Sequence, residues 1–291
     1  MTAATPSPGS PPRDSGLPPG RLPIWALPLI LGLFFTSGAA GLMYEVVWTR
    51  VLLNVFGASL YAVSTVLAAF MGGLALGSLI GGRLADRWRR PLAAYGVLEV
   101  LVAATAFAVP WMLDLVDAAY APLYARGEAS FVVLSLARFV LSFVVLLVPT
   151  TCMGATLPLL SRFVGRRSET LGGRIGGLYT LNTGGAVAGT FLAGFVLIGR
   201  LGVSGSLALA AAASALVGVA ALVASVRLEA RPPRPADPDP EQAPAIAAGS
   251  PPPRWLTRLV VSSYGLAGFL ALAYQVLWTR ALVFRFDVLK N

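Results

Sequence analysis

Two charged side chains sit inside otherwise uncharged apolar stretches: Glu99 within residues 92–113 and Arg138 within 130–149. A charge in hydrocarbon costs about 2.5 to 17 kcal/mol depending on the system, so such a side chain faces the interior of a helix bundle and needs a partner or a ligand. At 1.5 Å per residue in a core about 30 Å thick, the two lie about 7 Å apart along the membrane normal. That spacing fits a buried ion pair locking two helices. It also fits a proton or substrate site, in which Glu99 is open to a cation such as a polyamine and Arg138 pairs elsewhere, for instance with Glu45. Asn182, in another apolar stretch, reads as a helix-to-helix hydrogen bond or a ligand. With Glu45, Glu99 and Arg138 it makes up the candidate intramembrane polar site.

Other chemistries drop out. The chain has no histidine and one cysteine, Cys152, which excludes an intramolecular disulfide, the usual zinc sites and every Ser-His or Cys-His nucleophile. No catalytic, metal or cofactor-binding residue is expected in this chain. The glycine clusters follow no strand and are not followed by an acid at the right distance, so none is a phosphate loop.

The elements that must position these residues are membrane helices. Of 291 residues 56% are hydrophobic and 12% charged, about half the charge of a soluble domain, and mean hydropathy is +0.75. Runs 24–44, 51–82, 92–113, 130–149, 175–199, 201–226 and 259–278 each approach or exceed the 20 residues a crossing needs. The spacing predicts seven transmembrane helices. In 149–158, PTTCMGATLP, two prolines and a glycine predict a bend or break in the fourth.

Net charge is +9, but 15 of the 22 Lys and Arg residues fall on one side in alternate loops, against three in the opposite loops. This positive-inside bias puts the N-terminus in the cytoplasm and explains the basic excess without nucleic acid. Sixteen of the 22 prolines lie in 1–23 and 227–255, read as a disordered cytoplasmic tail and a Pro-rich cytoplasmic linker. The domain plan is a six-helix unit at 24–226 and one further helix within 256–291.

That further helix repeats the first. Tyr44-Glu-Val-Val-Trp48-Thr-Arg50 returns as Tyr274-Gln-Val-Leu-Trp278-Thr-Arg280, with Gly38 matching Gly268. As Tyr, Trp and Arg at helix ends, the six named residues read as anchors at the membrane interface. Glu45 becomes Gln275, so a protonatable group in one copy is only a hydrogen-bonding group in the other. The repeat marks the first helix of a second unit, truncated here, and the chain reads as a fragment. Gly73, Gly77 and Gly81, and likewise Gly173 with Gly177 and Gly185 with Gly189, recur every four residues, which lets helix backbones pack closely.

Together, SGAAGLMYEVVWTRVL (37–52), GGLALGSLIGGRLADR (72–87), PTTCMGATLPLLSRF (149–163) and GGLYTLNTGGAVAGTFLAGFVLIGRLG (176–202) resemble the membrane region of bacterial fused, transporter-like spermidine synthases. Residues 82–90 resemble the major facilitator loop motif at Gly82, Asp86 and Arg87, with Arg89 in place of its second glycine. The resemblance implies an all-α, multi-pass protein of the bacterial inner membrane. It also implies a missing second repeat and a cytoplasmic aminopropyltransferase domain outside these residues. Such a chain would anchor that enzyme in the lipid bilayer or move its polyamine product. The alternatives are a stand-alone secondary transporter of major facilitator type and an inactive truncated remnant.

Overall fold

The computed structural model describes residues 23–56, 59–85, 87–125, 131–165, 171–230 and 253–288, and every element among them is helical. In chain order these are α1 (Ala26–Phe56), α2 (Ser59–Ala85), α3 (Pro91–Ala125), α4 (Phe131–Gly165), α5 (Leu171–Leu192), a π-helical turn (Ala193–Leu197), α6 (Ile198–Leu228) and α7 (Arg254–Val288). Most of the N-terminal tail and of the Pro-rich linker lies outside the described residues.

Among the described residues six stretches are long and apolar enough to cross a membrane, where the sequence predicts seven. The difference lies between α5 and α6. The sequence divides these runs at Arg200, whereas one path of 54 residues runs from Ile175 to Leu228 through the π turn. Its direction changes at Gly202, whose φ of 71° and ψ of −178° interrupt the helix. That φ is accessible to glycine without the Cβ clash any other residue would meet.

In the fourth helix, where a bend or break is expected, there is no break: α4 runs through Pro149 and Pro158. A proline leaves the carbonyl four residues earlier without its helical donor. For Pro158 that carbonyl belongs to Gly154, and Ser78 Oγ on α2 donates to it at 3.0 Å. Around Pro149, Thr150 Oγ1 donates to Leu146 O at 2.8 Å and Thr151 Oγ1 to Leu147 O at 2.6 Å. The neighbouring helix thus satisfies the carbonyl that Pro158 leaves free, while the threonine hydroxyls beside Pro149 bond to carbonyls adjacent to the one it frees.

The bundle is organised by three close helix pairs: α1 with α5, α2 with α4, and α3 with α6. Each is made by glycine. A Cβ on Gly77 would run into the Thr151 carbonyl, Gly154 Cα and Ala155 N, and one on Gly81 into Ala155; Gly73 faces Thr150. On the other side Gly185 meets the Phe35 carbonyl and Ala39 N, and Gly189 meets Ala39. Gly38 lies on Asn182 as Gly154 lies on Leu74, and Gly96 and Gly218 lie on each other. Gly177 has open space around it, and the surroundings of Gly173 lie outside the described residues.

These contacts obey one rule. Exchanging α1–α3 with α4–α6 carries Gly185 on Phe35 and Ala39 into Gly77 on Thr151 and Ala155, and carries the Gly96–Gly218 contact into itself. The six helices are therefore two triples packed by the same register. α1 and α5 run parallel, as do α2 and α4, while α3 and α6 run antiparallel.

One tertiary cap closes the arrangement. α3 begins with Pro91, which has no N–H to satisfy, and the next two amides point at Glu229 just past the end of α6. Leu92 N donates to its Oε1 at 2.7 Å and Ala93 N to its Oε2 at 3.2 Å, placing a carboxylate at the positive end of the helix dipole. By contrast α7 stands apart, resting against α2 with no part of its apolar window buried.

Gly77 and Gly82 share α2, but only Gly77 touches another backbone. Gly77→Leu should destabilise the protein by about 1 to 3 kcal/mol or more through overpacking. Gly82→Leu should stay within about 0.5 kcal/mol, as read by thermal unfolding in lipid nanodiscs.

Candidate functional site

The interior holds two apolar clusters. One contains Ala40, Tyr44 and Trp48 of α1, Val102 and Ala106 of α3, and Leu207 and Ala210 of α6. The other contains Phe34 of α1, Tyr95 of α3, and Val217 and Ala221 of α6. Between them, on the same three helices, come Ser37, Glu99 and Ser214. The site is a polar layer sandwiched between two apolar cores.

Glu99 is the ionisable member and is 1% exposed. Ser37 Oγ donates to Glu99 Oε1 at 2.5 Å, joining α1 to α3. Tyr95, one helical turn before Glu99, is fully buried. Its hydroxyl lies beside Ser37 and Glu99 without closing a well-aligned hydrogen bond to either. The fully buried Tyr44 hydroxyl stands in the same relation to Ser214, within electrostatic reach of Glu99. Packing fixes both rings: Tyr44 stacks on Trp48 with centroids 5.4 Å apart, and Phe34 meets Tyr95 edge-on at 6.3 Å.

Glu99 does not make the ion pair with Arg138; among the described residues its close partners are Ser37 and Tyr95. Arg138 is half-buried on α4. Glu45 is half-buried on α1, and its Oε2 is enclosed with no hydrogen-bond partner. Asn182 sits at the α1–α5 crossing, its own carbonyl and Oδ1 against Gly38. Among the described residues no hydrogen bond joins Glu45, Glu99 and Asn182 to one another.

The repeated motif is used in two ways. Tyr44 and Trp48 are both 0% exposed and belong to the core, whereas Tyr274 is 62% and Trp278 64% exposed on α7. In the first copy they pack inside the bundle rather than lying at a headgroup surface. Arg50 and Arg280 are both exposed. Gly38 is pressed against Asn182, while Gly268 has open space.

Sequence reasoning missed Ser37, Tyr95 and Ser214. The four-residue spacing of Tyr95 and Glu99 was available as a signal. So was the replacement of Ser37 by Ala267 in the second copy. Ser214, in an alanine-rich helix, carries none.

Comparison with known proteins adds a relationship to this geometry. The chain is 31% identical over 233 residues to Polyamine aminopropyltransferase 2 of Streptomyces coelicolor, an overlap of 76% of this chain and 39% of that protein. The likeness is to a polyamine aminopropyltransferase. The chain spans about two fifths of that curated relative, so the similarity concerns a part of it. No family model matches the chain, and no solved structure matches it.

The two copies of the motif give a paired test. Trp48→Ala should cost about 3 to 5 kcal/mol, as for a buried aromatic. Trp278→Ala should cost no more than about 0.5 kcal/mol. Thermal unfolding of both variants in nanodiscs checks this.

Proposed function

We propose that this chain is the membrane domain of a spermidine-synthase-like protein of the bacterial inner membrane. It anchors an aminopropyltransferase domain carried outside these residues and moves a polyamine or a similar organic cation across the bilayer. The observation that carries this reading is where the similarity falls. Three quarters of a chain whose described residues are nearly all in apolar helices aligns with about two fifths of a polyamine aminopropyltransferase, which supports a shared membrane-helical part.

Seven crossings follow if the 54-residue path is counted twice. Straight, it would extend about 81 Å, far more than a core about 30 Å thick, and Gly202 supplies the break. The arginine-rich loops then lie in the cytoplasm with the N-terminus. The exchange symmetry of the two triples supports movement of a solute, because inverted repeats recur in secondary transporters, where one unit rocks against another. The same observation favours the second reading, a stand-alone transporter of major facilitator type.

Two measurements test the proposal. In a Cys152→Ser background, an impermeant maleimide should label Gly127→Cys in intact cells and Arg89→Cys only after permeabilisation; the reverse pattern overturns the orientation. Proteoliposomes holding the intact protein should take up labelled spermidine faster than empty ones. Equal uptake for spermidine, spermine and putrescine with and without protein overturns the transport role.

A further inference from the structure

The polar layer breaks the symmetry that the glycines keep. The exchange that carries Gly96 to Gly218 carries Glu99 to Ala221 and Tyr95 to Val217, and the one that carries Phe35 to Thr151 carries Ser37 to Met153 and Tyr44 to Leu160. Ala221, Val217 and Leu160 are buried as deeply as the residues they replace. Packing at these places is met by apolar side chains in the second triple, so the acid and its hydroxyls are not there to fill space. The sequence repeat agrees: Gly38, Tyr44 and Trp48 recur in α7, while Ser37 gives way to Ala267.

The cluster offers one negative charge and four hydroxyls. Among the described residues the groups acting on Glu99 are Ser37 of α1, Tyr95 of α3 and, electrostatically, Tyr44 of α1, with Ser214 of α6 beside Tyr44. None of these is cationic. A buried charge must be balanced, here either by a proton on the carboxyl or by a cation from outside. The two fully buried tyrosine hydroxyls that lack an aligned partner mark hydrogen bonds still to be made. Hydroxyls both donate and accept, so this set serves either form of the acid. When Glu99 is ionised, Ser37 and Tyr95 donate to it. When a proton arrives from the aqueous phase and bonds to the second carboxylate oxygen, that O–H donates to Tyr95, whose own hydrogen turns away while Ser37 goes on donating to Oε1.

We propose that Glu99 is an exchangeable proton-binding site, held by Ser37 and Tyr95 and extended by Tyr44 and Ser214. The proton is the cation this geometry takes, because Ser37 already occupies one carboxyl oxygen in direct contact.

Infrared difference spectroscopy between acid and alkaline pH, on the intact protein in nanodiscs, tests it. A carboxylic-acid C=O band should appear, shift in deuterated water, vanish in Glu99→Gln and move in frequency in Ser37→Ala and Tyr95→Phe. Glu45→Gln separates the other carboxyl of α1. A difference spectrum identical in the native protein and Glu99→Gln overturns the proposal. So does a Glu99 band that responds to sodium or ammonium at fixed pH and not to protons. If Glu99→Gln does not fold, Ser37→Ala, which installs the residue found in the second copy, still decides: no frequency shift overturns the site. The readout needs no transport, so a band without spermidine uptake defeats only the transport reading, and uptake without a band defeats only the proton site.

Discussion

In lipid, helices gain nothing from hiding apolar surface from one another, since the solvent is as apolar as they are; close van der Waals contact must hold them. In this protein that contact is made where glycine lets one backbone touch the next. Gly77 and Gly81 against α4, Gly185 and Gly189 against α1, and Gly96 against Gly218 bring three helix pairs together. Everything else is placed by those contacts. With α1 held at Gly38 and α3 at Gly96, Ser37 and Glu99 are left facing each other one residue and three residues away from the crossings. Any widening at either glycine would part them.

The order of the helices and the rank of their polar residues were legible in the sequence. Runs of apolar residues reveal spans, and a lone charge such as Glu99 stands out in them. Depth along the membrane normal can be counted from the sequence, but azimuth around a helix depends on which neighbours it packs against. So Arg138 looked like a partner by depth, while Ser37 and Tyr95 are the partners in space. The glycine ladders announced close packing without naming what they pack on. The continuity of α4 through its proline pair was not legible for a related reason: the donor that rescues the Gly154 carbonyl, Ser78, comes from another helix. The α5–α6 break was legible to within two residues, since the apolar runs divide at Arg200 and the helix is interrupted at Gly202.

The repeat acts as a comparison within one molecule. Identical Tyr and Trp residues are buried in α1 and exposed on α7, so burial there is a property of the surrounding helices and not of the motif. The copies keep Gly38, Tyr44 and Trp48, and among the residues they exchange are Ser37 for Ala267, Glu45 for Gln275 and Ala39, on which α5 packs, for Phe269.

A scaffold that maps onto itself when its halves are exchanged, with the paired triples running in opposite senses, looks the same from both faces of the bilayer. Such a framework does not by itself tell one end from the other. Any distinction must come from whatever is present in one half and missing from the other. In the interior that difference is a carboxyl at Glu99 where the other half places the methyl of Ala221, a small asymmetry that makes the two ends of the bundle chemically distinct.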